Sequence, residues 1–288
     1  MSFGDTLWHR WLKRPYRLHI MEAGRGAPVV LLHGVGASGD VWHPFIKQAR
    51  VHGLQERWHM VAPDLLGFGD SPKPQWNSYS VDDHARAVIA TIKQQKIKGP
   101  VTIVAHSMGC LVATHIATIS PKLVNQLVLY EPPLYADDPD FRRHAKRRAY
   151  YFGLYAFIAG HPQLAFTQAQ FFWRVAKKIV GLRLTPAMWV PFERSIRNTI
   201  MRQATYDELH AIRIPTTIVH GRLDLVVAKT ELRKMFKANK YITWCAVTDT
   251  HGISARSARF LVALLTGSVP QTRHQGRARP TNRAAHAA

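Results

Sequence analysis

Residues 101–109, VTIVAHSMG, constrain this chain most, because an apolar β-branched run ends there abruptly at a corner of small residues. Such a run predicts a buried parallel strand. The corner sets Ser107 between Ala105 and Gly109, and small residues two positions before and after a serine permit the tight strand-to-helix turn that exposes its hydroxyl. We therefore predict a nucleophile elbow at Ser107, with alanine replacing the first glycine of the G-x-S-x-G pattern. A match this short also requires a base, an acid and an oxyanion hole elsewhere in the chain.

Apolar runs and amphipathic segments alternate on both sides of this elbow. Residues 15–23 predict an antiparallel strand at a sheet edge. Buried strands are predicted at residues 27–32, 58–63, 127–130, 215–220 and 241–247, beside the strand that leads to Ser107. Helices are predicted at residues 40–50, 80–96, 108–120, 228–238 and 253–265. This alternation predicts an α/β fold in which a mostly parallel sheet carries helices on both faces.

The pattern changes at Pro132, where strand-like runs stop and the sequence becomes aromatic and basic. We interpret this segment as a helical insertion, and the arginine-rich, acid-free end of the chain as a disordered tail. The predicted organisation is a first part of the core at 1–131, a helical cap at 132–206, a second part of the core at 207–266 and a basic tail at 267–288.

The chain is strongly basic, with 39 Lys and Arg against 18 Asp and Glu, a formal net charge of +21. Such an excess attracts anionic surfaces but indicates nothing about the fold. Because no nucleic-acid motif accompanies it, we expect a solvated basic surface and no specific nucleic-acid partner. Weak association with anionic surfaces through the basic cap and tail is the alternative.

Cysteine content and hydropathy bear on the compartment. Cys110 and Cys245 are too few for a disulfide framework and are typical of buried thiols in a reducing environment. No signal-peptide h-region and no run of about 18 apolar residues occurs in the sequence. We therefore expect a soluble, cytoplasmic protein without a transmembrane segment.

Candidates for the base and the acid follow the last two predicted strands. His251 lies in the loop TDTHGIS, between the last strand and the final helix, where a histidine can act as general base. Asp224 ends GRLD after the preceding strand, where a carboxylate can orient the imidazole. The chain order Ser107, Asp224, His251 is the order expected when the nucleophile sits on such an elbow.

The oxyanion hole also has candidates. The glycine-rich loop HGVG can present the Val35 N–H, and the helix that starts after the elbow can present the Met108 N–H. In the same loop His33 is expected to brace the backbone rather than act as a base. Beside the catalytic set, four residues are predicted to bind substrate: His33, Gly34, His106 and Glu131.

These motifs resemble the α/β-hydrolase superfamily, in its esterase- and lipase-like branch with a serine nucleophile and an inserted cap. The matching residues are His33-Gly34-Val35-Gly36, Asp64 with Gly67, Gly69 and Ser71, Ala105-His106-Ser107-Met108-Gly109, Gly221-Arg222-Leu223-Asp224 and His251-Gly252. The resemblance covers residues 15–266 and implies an eight-stranded, mostly parallel sheet, a helical lid, and catalysis by Ser107, His251 and Asp224 with no cofactor and no metal.

Glu131 competes with Asp224 for the role of the acid. It ends the strand in LVLYEPP, where some cap-bearing relatives, notably the haloalkane dehalogenases, place their acid. We prefer Asp224, since G-R-x-D matches the commoner arrangement of the family; in the other interpretation Glu131 is a pocket-floor or loop-bracing carboxylate.

The expected function is cleavage of a small-molecule ester with a small to medium apolar acyl or aryl group. Ser107 argues against dehalogenases and epoxide hydrolases, which need a carboxylate nucleophile. Aromatic residues within 150–173 indicate an apolar pocket in the cap. The alternatives are hydrolysis of C–C bonds, acyl transfer or lactone hydrolysis, and a non-catalytic binding protein on the same scaffold.

Overall fold

The computed structural model describes residues 6–12, 14–134, 185–224, 235, 237 and 239–269. Its strands form one sheet in the order β1-β3-β2-β4-β5-β6-β7. They are β1 (Ile20–Ala23), β2 (Ala27–Leu32), β3 (Trp58–Pro63), β4 (Val101–His106), β5 (Val124–Tyr130), β6 (Thr216–Gly221) and β7 (Ile242–Val247). Strand β1 pairs antiparallel with β3, and every other pairing is parallel. The mostly parallel α/β sheet is therefore confirmed.

The described residues form seven strands, one fewer than the eight that the resemblance implied. The chain ahead of β1 is tied down by side chains instead of a strand ladder. The Leu18 N–H donates to Thr91 Oγ1 at 3.0 Å, and the His19 N–H donates to Ser71 Oγ at 2.9 Å. Because these hydroxyls satisfy the backbone donors, the predicted edge strand shortens to the four residues of β1.

Helices cover both faces of the sheet, as predicted. The α-helices are α1 (His43–Val51), α2 (Val81–Gln94), α3 (Met108–Ile119), α4 (Trp189–Ser195), α5 (Thr205–Ala211) and α6 (Ala255–Leu265). Short 3₁₀ turns lie at Gly39–Trp42, Leu54–Glu56, Pro121–Leu123 and Pro186–Met188, and π-helical turns at Thr6–Trp11 and Ile196–Ile200.

Two apolar cores result from the two-residue period of the strands. In β2, Val30 and Leu32 join a core that also contains α2 and α3, whereas Val29 and Leu31 join the core beneath α1 and α6. Side chains that alternate across a strand can both be buried only when each face is covered. This explains why β2 is apolar at consecutive positions.

The start of α2 illustrates how local sequence positions these layers. Ser80 Oγ accepts from the Asp83 N–H at 3.2 Å, while the Asp83 carboxylate accepts from the Ser80 N–H at 3.1 Å. This capping box satisfies backbone donors that the first turn leaves unpaired. Ser80 therefore caps α2, which begins one residue after the predicted start at residue 80.

Several predicted segments lie outside the described residues. Of the predicted cap, residues 135–184 are not described, and residues 186–200 consist of helical turns. Most of the predicted helix at 228–238 and all of the tail from residue 270 are also outside. Within the described ranges, no helix has the length and apolar character needed to cross a bilayer.

Candidate active site

Ser107 forms the turn between β4 and α3. Its backbone adopts φ 52° and ψ −124°, a conformation that residues with a side chain rarely take. Such a conformation costs of order 1–3 kcal/mol, and persists only where surrounding contacts impose it. Here the Ser107 N–H donates to the Tyr130 carbonyl at 3.0 Å, which holds the turn against the end of β5. The structure thus contains the predicted strand-to-helix turn.

Two glycines let the loop after β2 approach this turn. A Cβ on Gly109 would lie 2.6 Å from the His33 carbonyl oxygen, so α3 could not begin so close to the end of β2 with any larger residue. A Cβ on Gly34 would lie 3.0 Å from Ser107 Cβ. The backbone that leads into Val35 therefore lies directly beside the serine, and Met108 begins α3 on the serine's other side.

A continuous hydrogen-bond chain joins the three residues predicted to act together. His251 Nε2 lies 3.0 Å from Ser107 Oγ, and His251 Nδ1 lies 2.8 Å from Asp224 Oδ2. All three residues are buried, with Ser107 the most exposed of them at 7%. Because an ionised carboxylate only accepts, Nδ1–H donates to Asp224, which leaves Nε2 as the acceptor for the serine hydroxyl.

The loop that carries His251 is held by residues of the neighbouring strands. The Tyr130 hydroxyl lies 3.1 Å from the Thr250 carbonyl and 3.2 Å from the Gly252 carbonyl, one on each side of the base. His106 Nε2–H donates to the His251 carbonyl at 2.6 Å. The role of Tyr130 was missed from the sequence, in which it stands only as the polar-tipped residue at the end of a buried strand. His106, predicted to bind substrate, is 3% exposed and lies beneath the base.

Glu131 lies beside this chain in a fully buried position. It too has a left-handed backbone, with φ 55°, and its carboxylate accepts from the Gly221 N–H. Carboxylate and imidazole atoms of Glu131, Asp224 and His251 all lie within 4.8 Å of one another. Both candidate acids therefore reach the site. Asp224 accepts the hydrogen bond from His251 Nδ1–H, whereas Glu131 holds the end of β6.

Asp64, the other acid of the predicted motifs, also holds backbone N–H groups with its carboxylate. Its carboxylate accepts from the Gly39 N–H at 2.6 Å and from the Asp70 N–H at 2.8 Å, and lies 3.0 Å from His19 Nδ1. These bonds join the loop after β2 to the loop after β3. Asp64 thus orders the loops around the site, and its oxygens are taken up by protein donors.

His33 braces the same two loops. Its side chain is fully buried, Nδ1–H donates to the Gly34 carbonyl at 2.7 Å, and Nε2 accepts from the Leu65 N–H at 2.8 Å. With both ring nitrogens engaged, no hydrogen-bonding atom of this ring remains for substrate. Of the predicted substrate-binding residues, Gly34 lies against Ser107, while His33, His106 and Glu131 are buried behind the reactive groups.

A second serine–histidine contact occurs away from this site. His84 Nε2 lies 3.1 Å from Ser195 Oγ, linking α2 to α4. Both side chains are fully buried, and His84 Nδ1 has no hydrogen-bond partner among the described residues. Among the described residues no carboxylate orients this ring, and both side chains are buried. We therefore expect the pair to serve the packing of α4 rather than catalysis.

Three buried histidines should make stability depend on pH. Burial lowers the pKa of His84 to about 4 and that of His106 to about 3, and it lowers the pKa of His33 below its ordinary value of 6.5. In the unfolded chain these rings take up protons near pH 6.5, whereas in the folded protein they stay neutral. Their stabilising contribution is therefore present above pH 6.5 and is lost as the pH falls toward the folded pKa of each ring. The slope reaches at most about 1.4 kcal/mol per pH unit for a histidine between its unfolded and folded pKa values.

Urea unfolding between pH 6 and pH 4 measures this slope. His84→Gln removes one of the three groups and should make the free energy of unfolding fall less steeply, by up to about 1.4 kcal/mol per pH unit near pH 5, whatever its effect at neutral pH. His52→Gln serves as the control, because it makes the same change at an exposed histidine. Equal slopes in the wild type and His84→Gln would show that His84 does not titrate as described.

Gly34→Ala should reduce turnover more than it reduces stability. The new methyl group would press on Ser107 Cβ and would lie 3.3 Å from His106 Nδ1, so the loop has to retreat from the serine. A displacement of about 1 Å at such a site lowers kcat about 100-fold. Gly99→Ala is the control, because its Cβ meets open space but its φ of +78° makes the change a cost to stability alone. A Gly34→Ala variant with unchanged kcat would contradict this role of the loop.

Comparisons with known proteins agree with this geometry. A sequence profile of the alpha/beta hydrolase fold matches residues 27–244. Lipase LipV of Mycobacterium tuberculosis is 37% identical over 123 residues, which are 42% of this chain and 43% of LipV. The Arabidopsis thaliana protein named "Probable lysophospholipase BODYGUARD 4" is 29% identical over 148 residues, 50% of this chain and 32% of that protein. The chain thus spans less than half the length of these curated relatives.

Structural similarity extends over more of the molecule. The crystal structure of a thermophilic esterase from Thermogutta terrifontis superposes with a TM-score of 0.63 at 20% identity, covering 87% of this chain and 92% of the esterase. At this identity the likeness shows the fold alone. Since the profile matches well over half of the 288 residues, the chain belongs to the alpha/beta hydrolase fold family.

Proposed function

We propose that the protein is a serine hydrolase that cleaves carboxylic esters through an acyl-enzyme formed on Ser107. The observation that carries this proposal is the hydrogen-bond chain from Ser107 Oγ through His251 to Asp224. In that arrangement the serine has an adjacent base, and the base has a carboxylate that sets its tautomer. The strained elbow supports it, because such a conformation at a buried serine has no packing benefit of its own.

The proposed reaction begins with proton transfer from Ser107 Oγ to His251 Nε2 as the oxygen attacks the ester carbonyl carbon. The carbonyl π electrons move to oxygen and form a tetrahedral oxyanion, while Asp224 stabilises the imidazolium. Collapse of this intermediate breaks the bond to the alcohol oxygen, which takes the proton from Nε2. Water, deprotonated by His251, then attacks the acyl-enzyme, and Ser107 recovers its proton as the carboxylic acid leaves.

Backbone N–H groups of Val35 and Met108 are proposed to hold the oxyanion. Met108 is the first residue of α3, and N–H groups at a helix start have no partner within the helix and lie at the positive end of its dipole. The close contact of Gly34 with Ser107 brings the Val35 backbone to the other side of the reacting carbon. One such donor is worth about 3 kcal/mol of transition-state stabilisation in comparable enzymes.

The proposed substrates carry small to medium apolar acyl or aryl groups. The names of LipV and of the Thermogutta protein, a lipase and an esterase, support ester cleavage. The aromatic sequence of the predicted cap supports an apolar pocket. The cap itself remains a prediction, and so does the chain length of the acyl group.

A panel of p-nitrophenyl esters of increasing acyl length, with a phenyl ester, a lactone and a vinylogous diketone, tests the proposal. We expect turnover of short or medium esters by the wild type and by Ser195→Ala, which is the matched serine control, and none above background by Ser107→Ala. Turnover that Ser195→Ala abolishes and Ser107→Ala retains would contradict the assignment of the nucleophile. Preference for the lactone or the diketone over every open-chain ester would contradict the proposed substrate class.

A further inference from the structure

A group of exposed apolar side chains lies at the beginning of the described chain. Four large apolar side chains of one short segment are exposed: Leu7 (46%), Trp8 (54%), Trp11 (73%) and Leu12 (52%). Only three other large apolar side chains are comparably exposed in the described ranges, and they are scattered at Val51, Ile119 and Leu223. Exposed apolar side chains that gather in one place mark an interaction site rather than ordinary surface.

Ring contacts connect this segment to a basic groove. The His9 ring stacks on Tyr16 with centroids 3.6 Å apart, and Tyr16 lies 6.3 Å from Trp76. Trp76 is one wall of a groove of about 460 Å³ whose other walls include three arginines: Arg194, Arg197 and Arg202. We call the exposed segment and this groove together the Trp–Arg face, defined by Leu7, Trp8, Trp11, Leu12, Arg194, Arg197 and Arg202.

The charge of the Trp–Arg face is strongly positive. Arg10 and Arg14 are exposed within or next to the apolar segment, and the Arg14 guanidinium lies 6.0 Å from the Trp8 ring centroid. Glu193 is the one acidic residue among those lining the groove, and it pairs with Arg197. Arg202 has no acidic partner in the part of the chain that is described. A ligand that covers this face must therefore be anionic as well as apolar.

We propose that the Trp–Arg face binds the surface of a membrane rich in anionic phospholipid. Trp and Leu side chains enter the boundary between headgroups and acyl chains, while arginines pair with lipid phosphates. Single-stranded nucleic acid would use the arginines and indoles but would leave the two leucines uncovered, since aliphatic groups do not stack on bases as rings do. The combination of aliphatic, indole and guanidinium groups thus favours a bilayer.

The location of the face relates it to the candidate active site. Trp76 lies in the loop after the carboxyl end of β3, and Arg194 Nη1 donates to the Gln75 and Asn77 carbonyls of this loop at 2.7 and 2.6 Å. Ser107 follows the carboxyl end of β4 at the same edge of the sheet. Membrane docking would therefore turn this edge toward the lipid. Membrane binding by this face is a property beyond the proposed ester cleavage and does not require it.

Co-sedimentation of the full chain with vesicles tests the proposal. Vesicles of phosphatidylcholine with 30% phosphatidylglycerol are compared with pure phosphatidylcholine, as about one third of anionic lipid is enough to attract basic surfaces. We expect binding to the anionic vesicles that weakens with salt. Arg197→Gln with Arg202→Gln should weaken it about 25-fold, since each basic residue near such a surface contributes about fivefold. Trp8→Ser with Trp11→Ser should weaken it at least about tenfold.

Control variants remove two positive charges, or an exposed apolar side chain, on the opposite side of the molecule. Lys93→Gln with Lys98→Gln removes two exposed charges near the amino end of β4, and Val51→Ser removes an exposed apolar side chain at the end of α1. Both should bind vesicles as the wild type does.

Three outcomes would overturn the proposal. If Lys93→Gln with Lys98→Gln weakens vesicle binding as much as Arg197→Gln with Arg202→Gln does, binding depends on the net charge alone. The double variant Trp8→Ser with Trp11→Ser could instead bind vesicles as the wild type does and lose self-association in size-exclusion chromatography. That result would assign the face to a second copy of the chain. Tighter binding of the same face to a single-stranded oligonucleotide than to vesicles would assign it to nucleic acid. Loss of esterase activity in Ser107→Ala should leave vesicle binding unchanged.

Discussion

Replacing Ser107 by alanine is expected to lower kcat for ester hydrolysis on the order of 10⁶-fold, as loss of the nucleophile does in other serine hydrolases. The hydroxyl lies 3.0 Å from His251 Nε2, the proposed base. Without it, attack on the carbonyl has to come from an unpositioned water. Steady-state kinetics with the best ester of the panel measures the effect.

Ser107→Gly separates catalysis from folding at this position. Glycine adopts φ 52° and ψ −124° with little strain. This variant should therefore lose activity as fully as Ser107→Ala does, while its free energy of unfolding should exceed that of Ser107→Ala by about 1 kcal/mol. A glycine variant that is less stable than the alanine variant would contradict the strain assigned to the elbow. Residual activity above about one hundredth of the wild type in either variant would contradict Ser107 as the nucleophile.

Asp224→Asn is expected to lower kcat about 10⁴-fold while leaving the shape of the site intact. An asparagine amide can donate to His251 Nδ1, which favours the tautomer with its proton on Nε2. That nitrogen then cannot accept the proton of Ser107. The loss should appear in kcat, with the KM for a p-nitrophenyl ester changed little, because Asp224 is buried behind the base and does not meet the substrate.

Glu131→Gln is the matched control, since Glu131 is equally buried and lies within 4.8 Å of the same groups. Its amide oxygen can still accept from the Gly221 N–H and so hold the end of β6. We expect kcat to fall less than about tenfold, the size of a small change in positioning. If Glu131→Gln costs more than Asp224→Asn, Glu131 is the acid and the interpretation of Asp224 is wrong.

Much of the fold could be predicted because the sheet is buried on both faces. Runs such as residues 27–32 and 58–63 are apolar at consecutive positions, and the strands β2 and β3 match them in both bounds. Strand β5 begins at Val124, earlier than predicted. The prediction missed this start because the exposed Asn125 interrupts the apolar pattern there. The first residues of β5 pair with the start of β4, and the register of this pairing shifts between Val101 and Thr102. Such pairings depend on the neighbouring strand and leave no local signal.

The approach of the three residues proposed to react could be predicted for a different reason. Parallel strands bring their carboxyl ends to one edge, so residues that follow β4, β6 and β7 are neighbours although 144 positions separate Ser107 from His251. Their supports could not be predicted in this way. Tyr130 and His106 act on the loop of His251 through tertiary contacts that no spacing rule anticipates. The exposure of Trp8 and Trp11 could not be predicted either, because the local sequence does not show which apolar side chains the fold leaves uncovered.

Covalent labelling by a fluorophosphonate probe tests the central proposal most directly, because it requires an activated serine and no knowledge of the natural substrate. The phosphorus should bond to Ser107 Oγ with release of fluoride, and mass spectrometry of the digested protein should find one adduct on the peptide that contains Ser107. Ser107→Ala and Asp224→Asn should not be labelled at a comparable rate, whereas Ser195→Ala should be labelled as the wild type is. An unlabelled wild type, or an adduct on Ser195, would contradict the assignment of Ser107, His251 and Asp224 as the reactive set.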